Sequence, residues 1–296
     1  MSSINVESSQ PRRMQRPPRA QAWPIISAIL RYALLIVLAI LFLLPFYIIV
    51  RNGLSTDQDI TSPHWTFFPS ALHWENISEL FDDPAVSFLQ SMLNSLVIAV
   101  LQTAGQLFFS ALAGYGLARI PNRWANAAFG AVLLTLMVPA AVTFVPTFVL
   151  VSFLGWLNTL QGIAVPLMFS GFTTLLFRQF FLGFPNELEE AGRVDGLGYW
   201  GVFWRIVIPN SRSIIVALGS LAFITSWNGF LWPLVIGSDP SAWTVQVALS
   251  NFLNSQVLNL HELFIGVALA ILPLVVIFLF LQRYIAEGVS QSGIKG

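Results

Sequence analysis

The residues best placed to do something specific lie together. They run from Gly183-Phe-Pro-Asn-Glu-Leu-Glu-Glu-Ala-Gly-Arg-Val-Asp-Gly196 to Ile206-Val-Ile-Pro209. Glu190, Ala191, Gly192, Asp195 and Gly196, with Ile206 and Pro209 downstream, include no strong nucleophile and no metal-ligand set. Their chemistry is recognition: carboxylates and small side chains on a short helix that another surface can approach closely. Asn186 reads as an N-cap, and Glu189 stands three residues on, as in a capping box. Glu187, Glu189 and Glu190 fill the first turn, where negative charge is favoured. Gly196 after Asp195 reads as a C′ glycine. The expected helix has about nine residues and is ~14 Å long at ~1.5 Å per residue. A helix this short is marginal in water without tertiary support. A plain connection between two spans needs only roughly two to eight residues, so this helix is expected to meet something in the aqueous phase. Behind it, Tyr199, Trp200, Phe203, Trp204 and Arg205 suit a helix along the membrane interface, which Pro209 is expected to break.

Other chemistries are missing. Without cysteine there is no thiol nucleophile, disulfide frame or iron–sulfur site. His64, His73 and His261 show no metal-ligand spacing. No GxxxxGK[ST] loop is present to bind ATP, and Gly114-Tyr-Gly116 reads as helix packing. No ionisable residue occupies the interior of any apolar stretch, as proton relays and voltage sensors require; Arg178 and Arg212 fall at stretch ends, where they can snorkel. Energy for any pumping must then come from another polypeptide. A net charge of zero gives no bulk basic character to suggest nucleic acid.

The elements that must position the polar island are membrane helices. The chain has 296 residues, 56% hydrophobic and 9% charged, against about 25% charged in an ordinary soluble domain. Six apolar stretches, 32–50, 88–118, 127–154, 161–182, 213–236 and 263–283, each have the ~20 residues that cross ~30 Å of hydrocarbon. Pro139 and Pro146 should bend the third, and Pro45, Pro166, Pro233 and Pro273 fall in others. The first reads as a retained helix, since Arg51-Asn52-Gly53 follows it rather than a small-residue cleavage site; the twin arginines Arg12-Arg13 lack the apolar sequel of an export signal.

Basic residues set the orientation. With the N-terminus inside, Arg12, Arg13, Arg16, Arg19, Arg31, Arg119, Arg123, Arg178, Arg193, Arg205, Arg212, Arg283 and Lys295 are internal, and only Arg51 of the 14 basic residues is external. The expected domains are a cytoplasmic tail 1–31, a six-helix region 32–283 with cytoplasmic loop 183–212 and outer loops 51–87 and 237–262, and a cytoplasmic tail 284–296. The outer loops mix acids with Trp65, Phe67, Phe68, Trp74 and Trp243, as interface anchors or a docking surface would. Asn76-Ile-Ser78 matches a glycosylation sequon.

Glu190-Ala191-Gly192, three residues, Gly196, nine residues and Ile206-Val-Ile208-Pro209 together resemble the EAA loop of bacterial ABC importer permeases, whose pattern is EAA, three residues, G, nine residues, I-x-L-P. Gly192 stands for the second alanine and Ile208 for the leucine. Asn94-Ser-Leu96, Ala113-Gly-Tyr-Gly-Leu-Ala-Arg119, Gly155-Trp-Leu-Asn-Thr159, Phe177-Arg-Gln-Phe-Phe181, Trp227-Asn228 with Trp232-Pro233, and Gln282-Arg-Tyr284 resemble the carbohydrate-uptake branch. The resemblance implies an all-α, polytopic membrane protein with six transmembrane helices, the type I ABC importer permease fold, and both termini cytoplasmic. It implies a second homologous permease, two ATPase subunits that hold ATP and Mg, and an extracytoplasmic sugar-binding protein, with no cofactor on this chain. The 190–196 helix would lie in a cleft of an ATPase, and the tail from Glu287 to Gly296 would reach the ATPases as well. Intramembrane candidates for the sugar path are Asn94, Gln102, Thr103, Gln106, Thr225, Ser226, Trp227 and Asn228; the same residue types also tie helix to helix. A sugar and glycerol phosphate both stay open as cargo. The alternative from another class is an autonomous channel or facilitator for a small polar solute; on either reading the expected location is the bacterial or archaeal cytoplasmic membrane.

Overall fold

The computed structural model describes residues 22–83, 86–254 and 259–292, with side-chain surroundings defined for 26–83, 86–253 and 259–282. Expectations on Arg12, Arg13, Arg16, Arg19, Lys295 and the end of the 284–296 tail lie outside the described residues. The chain divides into two compact units, Met1–Ile48 and Ile49–Gly296. The described part of the first belongs to α1 (Ala22–Gly53), an apolar helix that carries Pro45 without a break.

The second unit is a succession of helices. α2 (Asp57–Thr61) and α3 (Glu75–Asp82) lead to the long α4 (Phe88–Arg119). α5 (Ala125–Met137) and α6 (Ala140–Phe153) follow, then α7 (Leu160–Ala164) with a 3-10 turn at Val165–Leu167, and α8 (Gly171–Leu182). Next come α9 (Asn186–Val194), α10 (Tyr199–Val202), a π turn at Phe203–Val207 and α11 (Ile208–Asn210). α12 (Arg212–Trp227), α13 (Leu231–Ile236), α14 (Val245–Asn254) and α15 (Leu260–Ser292) complete the described order.

Three of the six expected spans are broken, and the bend expected in the third falls at Pro139. α5 and α6, covering the expected 127–154 span, meet at 99°. Val138 takes an extended conformation (φ −82°, ψ 118°), as a residue ahead of a proline is pushed to do. Pro146 stays inside α6. The expected 161–182 span is divided at 168–170 and bent by 41°. There Ser170 is extended, and its hydroxyl caps α8 by accepting the Thr173 N–H at 3.2 Å. The expected 213–236 span stops at Trp227, where the Asn228 and Gly229 N–H groups close α12 on Ile224 O (3.1 Å) and Ser226 O (3.0 Å). The interfacial break also moves. Pro209 remains helical, and the 79° bend falls at Ser211. Without an N–H, Pro209 leaves one backbone acceptor of the preceding turn unserved. The chain there widens into the π turn, with the Ile208 N–H reaching back to Phe203 O.

In hydrocarbon, packing rather than water exclusion holds helices together, so close approach matters. α4 packs along α8 and α12. At Gly114 a β-carbon would lie 2.7 Å from Phe177 Cβ and 2.9 Å from Arg178 N, so the α4–α8 crossing requires glycine there. Phe177 stacks on Phe181 (5.6 Å between centroids), and both are fully buried with Tyr115, Phe203 and Val207 near the Arg119 end of α4. Phe88, Trp227, Val245, Phe252 and Ile265 form a second cluster toward its Phe88 end.

The stretches 51–87 and 237–262 are largely folded. Asn76 is buried and donates to Gly53 O (2.9 Å) and Ser55 O (3.0 Å), so the sequon asparagine is spent inside the protein. Arg51 is buried, donating to Asn52 Oδ1 (2.9 Å) and Thr66 Oγ1 (3.1 Å). Arg178, in the C-terminal half of α8, lies 3.9 Å from the centroid of the Phe129 ring.

Candidate functional site

Two regions collect the functional residues: the α9 helix, and a cavity where the broken helices meet. α9 has the expected nine residues and the expected C-terminal glycine. Gly196 has φ +83°, Leu197 N–H reaches Gly192 O (2.9 Å) and Gly196 N–H reaches Arg193 O (3.0 Å), which is a Schellman motif. The N-terminus differs from expectation. The N-cap position is Pro185, with no side-chain cap bond, and Asn186 is the first helical residue. Asn186 Oδ1 accepts from Arg119, and Glu189 turns inward rather than closing a capping box. The reason is non-local: the guanidinium at the end of α4 claims both groups.

The helix therefore has two faces. Glu189 and Gly192 are buried, and Ile206 Cδ1 lies 2.3 Å from where a Gly192 β-carbon would be. Ile206 thus fills the room that the missing methyl leaves. Glu187, Glu190, Ala191 and Val194 are exposed, and their i, i+3, i+4, i+7 spacing puts them on one stripe. Val194 is 87% exposed. Asp195 closes the helix and Pro209 lies in α11, both exposed.

The cavity has a volume of about 590 Å³, within the ~300–1,000 Å³ of small-molecule sites. Its walls come from the three helix breaks: Val138 and Ala140; Leu167, Phe169 and Ser170; Gly229 and Phe230. Irregular backbone at membrane depth is tolerated where it is buried in protein or lines a cavity. Gln102, Gln106, Thr135, Thr143, Thr225, Ser226 and Trp232 add polar atoms to the lining. Gln102 Nε2 donates to Ile163 O (3.0 Å) and Gln106 Nε2 to Thr173 Oγ1 (2.6 Å), which holds α4 against the α7–α8 break. Ser226 Oγ and Trp232 Nε1 are buried with no hydrogen-bond partner among the described residues. No ionisable side chain is among the described lining residues.

Of the expected path residues, Gln102, Gln106, Thr225 and Ser226 line this space. Thr103 does not; its hydroxyl is buried without a partner in the protein. Three more are placed elsewhere. Asn94 donates to Ser241 O (2.8 Å) and Trp243 O (2.9 Å), binding α4 to the 237–262 stretch. Trp227 is buried in the core and donates from Nε1 to Ala270 O at 3.1 Å. Asn228 is exposed and bonds back to Ile224 O at 2.9 Å. Helix-to-helix ties claim Asn94 and Trp227, the competing use of such residues. Sequence reasoning missed Thr135, Thr143, Phe169, Ser170 and Phe230 as lining. Their proximity to Pro139, Pro166 and Gly229 is the signal that could have found them.

On the 51–87 and 237–262 stretches, hydroxyl donors hold two carboxyls below the usual carboxylate range. Ser70 donates to Asp59 (2.6 Å) and Ser241 to Asp239 (2.6 Å). A depressed carboxyl contributes stability above its unfolded pKa and loses it as pH falls through the folded value, so both turns are at full strength at neutral pH.

Residues 106–291 match the family of binding-protein-dependent transport system inner membrane components. The chain belongs to this family. It is 33% identical over 261 residues to the arabinooligosaccharides transport system permease protein AraQ of Bacillus subtilis (strain 168), covering 88% of this chain and 92% of the relative. It is 34% identical over 264 residues to the lactose transport system permease protein LacG of Rhizobium radiobacter (89% and 95%). It is 33% identical over 269 residues to an sn-glycerol-3-phosphate transport system permease protein, UgpE, of Yersinia pestis (88% and 95%). A chain of a bacterial ABC transporter for import of the acidic polysaccharide alginate has the same fold, with a TM-score of 0.77 at 21% identity, covering 91% of this chain and 100% of that one. The all-α architecture is that of an ABC importer permease. As a member of this family the chain is a multi-pass inner-membrane component of a binding-protein-dependent transport system. The family match takes in α9, Gln106, Thr225 and Trp232, whereas Asn94 and Gln102 precede it.

Proposed function

We propose that this chain is the membrane-spanning permease subunit of an ATP-driven importer, which translocates a sugar or oligosaccharide handed over by an extracytoplasmic binding protein. Both termini and α9 face the cytoplasm, as the basic residues require. Two ATPase subunits bind ATP and Mg, a second homologous permease completes the path, and this chain hydrolyses nothing itself. ATP supplies the bias between inward- and outward-facing states, because a solute shifts that equilibrium only by its differential affinity for the two. The observation that carries the reading is the outward stripe of α9: two carboxylates, a small residue and a bare valine on a capped helix whose other face is already buried.

The cavity favours a neutral polyhydroxylated cargo over glycerol phosphate. Amide, hydroxyl and indole groups line it beside phenyl faces, and an anion would find no cation among the described lining residues. In proteoliposomes holding the complete complex, uptake of the sugar is expected to require both ATP and the binding protein, and glycerol phosphate is expected not to compete. Flux through the purified chain without ATP would establish the facilitator reading instead. Trp232→Phe removes an unpartnered indole donor while an aromatic ring still packs against Phe144. It is expected to raise the sugar concentration for half-maximal uptake roughly tenfold, about 1.4 kcal/mol, with assembly of the complex unchanged by size-exclusion chromatography.

A further inference from the structure

Glu189 is a buried carboxylate that the docking stripe does not use. Its side chain is 5% exposed, and its Oε1 lies 3.3 Å from Arg119 Nε without hydrogen-bond geometry, an ion pair by proximity. The Arg119 N–H groups are directed elsewhere: Nε to Phe181 O at 2.7 Å, and the two terminal nitrogens to Phe184 O and Asn186 Oδ1. Tyr115, one turn back on α4, donates to Glu189 Oε2 at 3.5 Å, and Arg193 lies 3.8 Å from the same oxygen. Arg119 is the last residue of α4, the helix that also carries Gln102 and Gln106 into the cavity. One guanidinium thus grips the end of α8, the connecting turn and the start of α9, while a buried countercharge fixes it in place.

We infer that Arg119 and Glu189 are positioning residues that join α9 and α4 into one mechanical unit, so that a displacement imposed on α9 is delivered directly to the cavity glutamines. The inference rests on the proposed coupling of α9 to an ATPase. Without this pair, α9 is tethered to α4 only through packing and flexible turns. An ATPase stroke would then move α9 against the membrane helices instead of moving both.

The test uses the complete complex in proteoliposomes, measuring sugar taken up per ATP hydrolysed. Arg119→Gln, Glu189→Gln and the double variant are each expected to assemble and hydrolyse ATP while moving about tenfold less sugar per ATP, within the range of coupling energies for residues in direct contact. The double variant is expected to be no worse than either single one, and Arg119→Lys, which keeps the charge and loses the fork, to fall between. A merely structural role would lower assembly and hydrolysis together and leave the ratio intact; an unchanged ratio in assembled complexes overturns the inference. A second measurement needs neither variant. The chain has no native cysteine, so spin labels at Ile120 and Leu188, both exposed, report the α4–α9 separation through the ATP cycle. A constant separation supports the unit, and a change with nucleotide overturns it. Failure of the wild-type permease to recruit any ATPase would refute the coupling reading itself, and the inference with it.

Discussion

Glu190→Lys is expected to abolish ATP-dependent uptake while leaving the chain inserted and helical. Glu190 points away from the membrane helices and is exposed, so its loss removes nothing from the permease's own core. With Pro185 as the N-cap, Glu190 lies past the first turn, where the helix dipole acts, so reversing its charge costs little in a helix held by the buried Gly192, Glu189 and the Schellman bonds. What changes is the face presented to a partner, where a rejected charge costs several kcal/mol. Gly196→Val reaches the same end by another route. No atom lies within 4 Å of a β-carbon built at Gly196, but its φ of +83° is a conformation that costs an L-residue roughly 1–2 kcal/mol, more for a β-branched one. The motif then relaxes and turns Asp195 and the end of the stripe away. Radiolabelled sugar uptake in vesicles, with membrane content followed by immunoblot, decides both. Wild-type uptake in either variant would remove α9 from the coupling mechanism.

Gly114→Val is expected to deplete folded permease outright. The new side chain meets Phe177 Cβ and the backbone nitrogen of Arg178, atoms that cannot swing aside, so α4 and α8 must separate. Overpacking typically costs 1–3 kcal/mol, and here it also opens the stack of Phe177 on Phe181 and shifts the Arg119 end of α4. Gly116→Ala two residues on is the control. Nothing lies within 4 Å of its β-carbon, so its yield and thermal midpoint in detergent are expected to match wild type. Equal yields of the two variants would refute the close crossing.

What the sequence disclosed followed from local physics. Six apolar stretches and a nine-residue capped helix are written in composition and spacing, and the structure places helices in all of them. What it hid was non-local. A proline in an apolar stretch can sit inside a helix or divide it, and which occurs depends on the surrounding packing. Pro45 and Pro146 stay inside helices, whereas Pro139 divides one, and the chain's own residues do not distinguish those cases. Glu189 has the spacing of a capping residue, yet its partner is an arginine 70 positions earlier. Asn94 and Gln102 are both amides on α4 that tie to backbone carbonyls, and only tertiary placement leaves Gln102, and not Asn94, lining the cavity.

The bare valine of α9 also bears on how the subunit is made. With α9 on the proposed cytoplasmic side, Val194, 87% exposed, leaves an aliphatic side chain in water for as long as the permease stands alone, and its burial would return roughly 1.5–3 kcal/mol. Copies produced in surplus over a partner that covers α9 would carry Val194 and the exposed Leu188 as apolar spots among its charged residues, and such spots favour self-association. Balanced synthesis of the components would therefore matter to the cell as much as the transport cycle they serve.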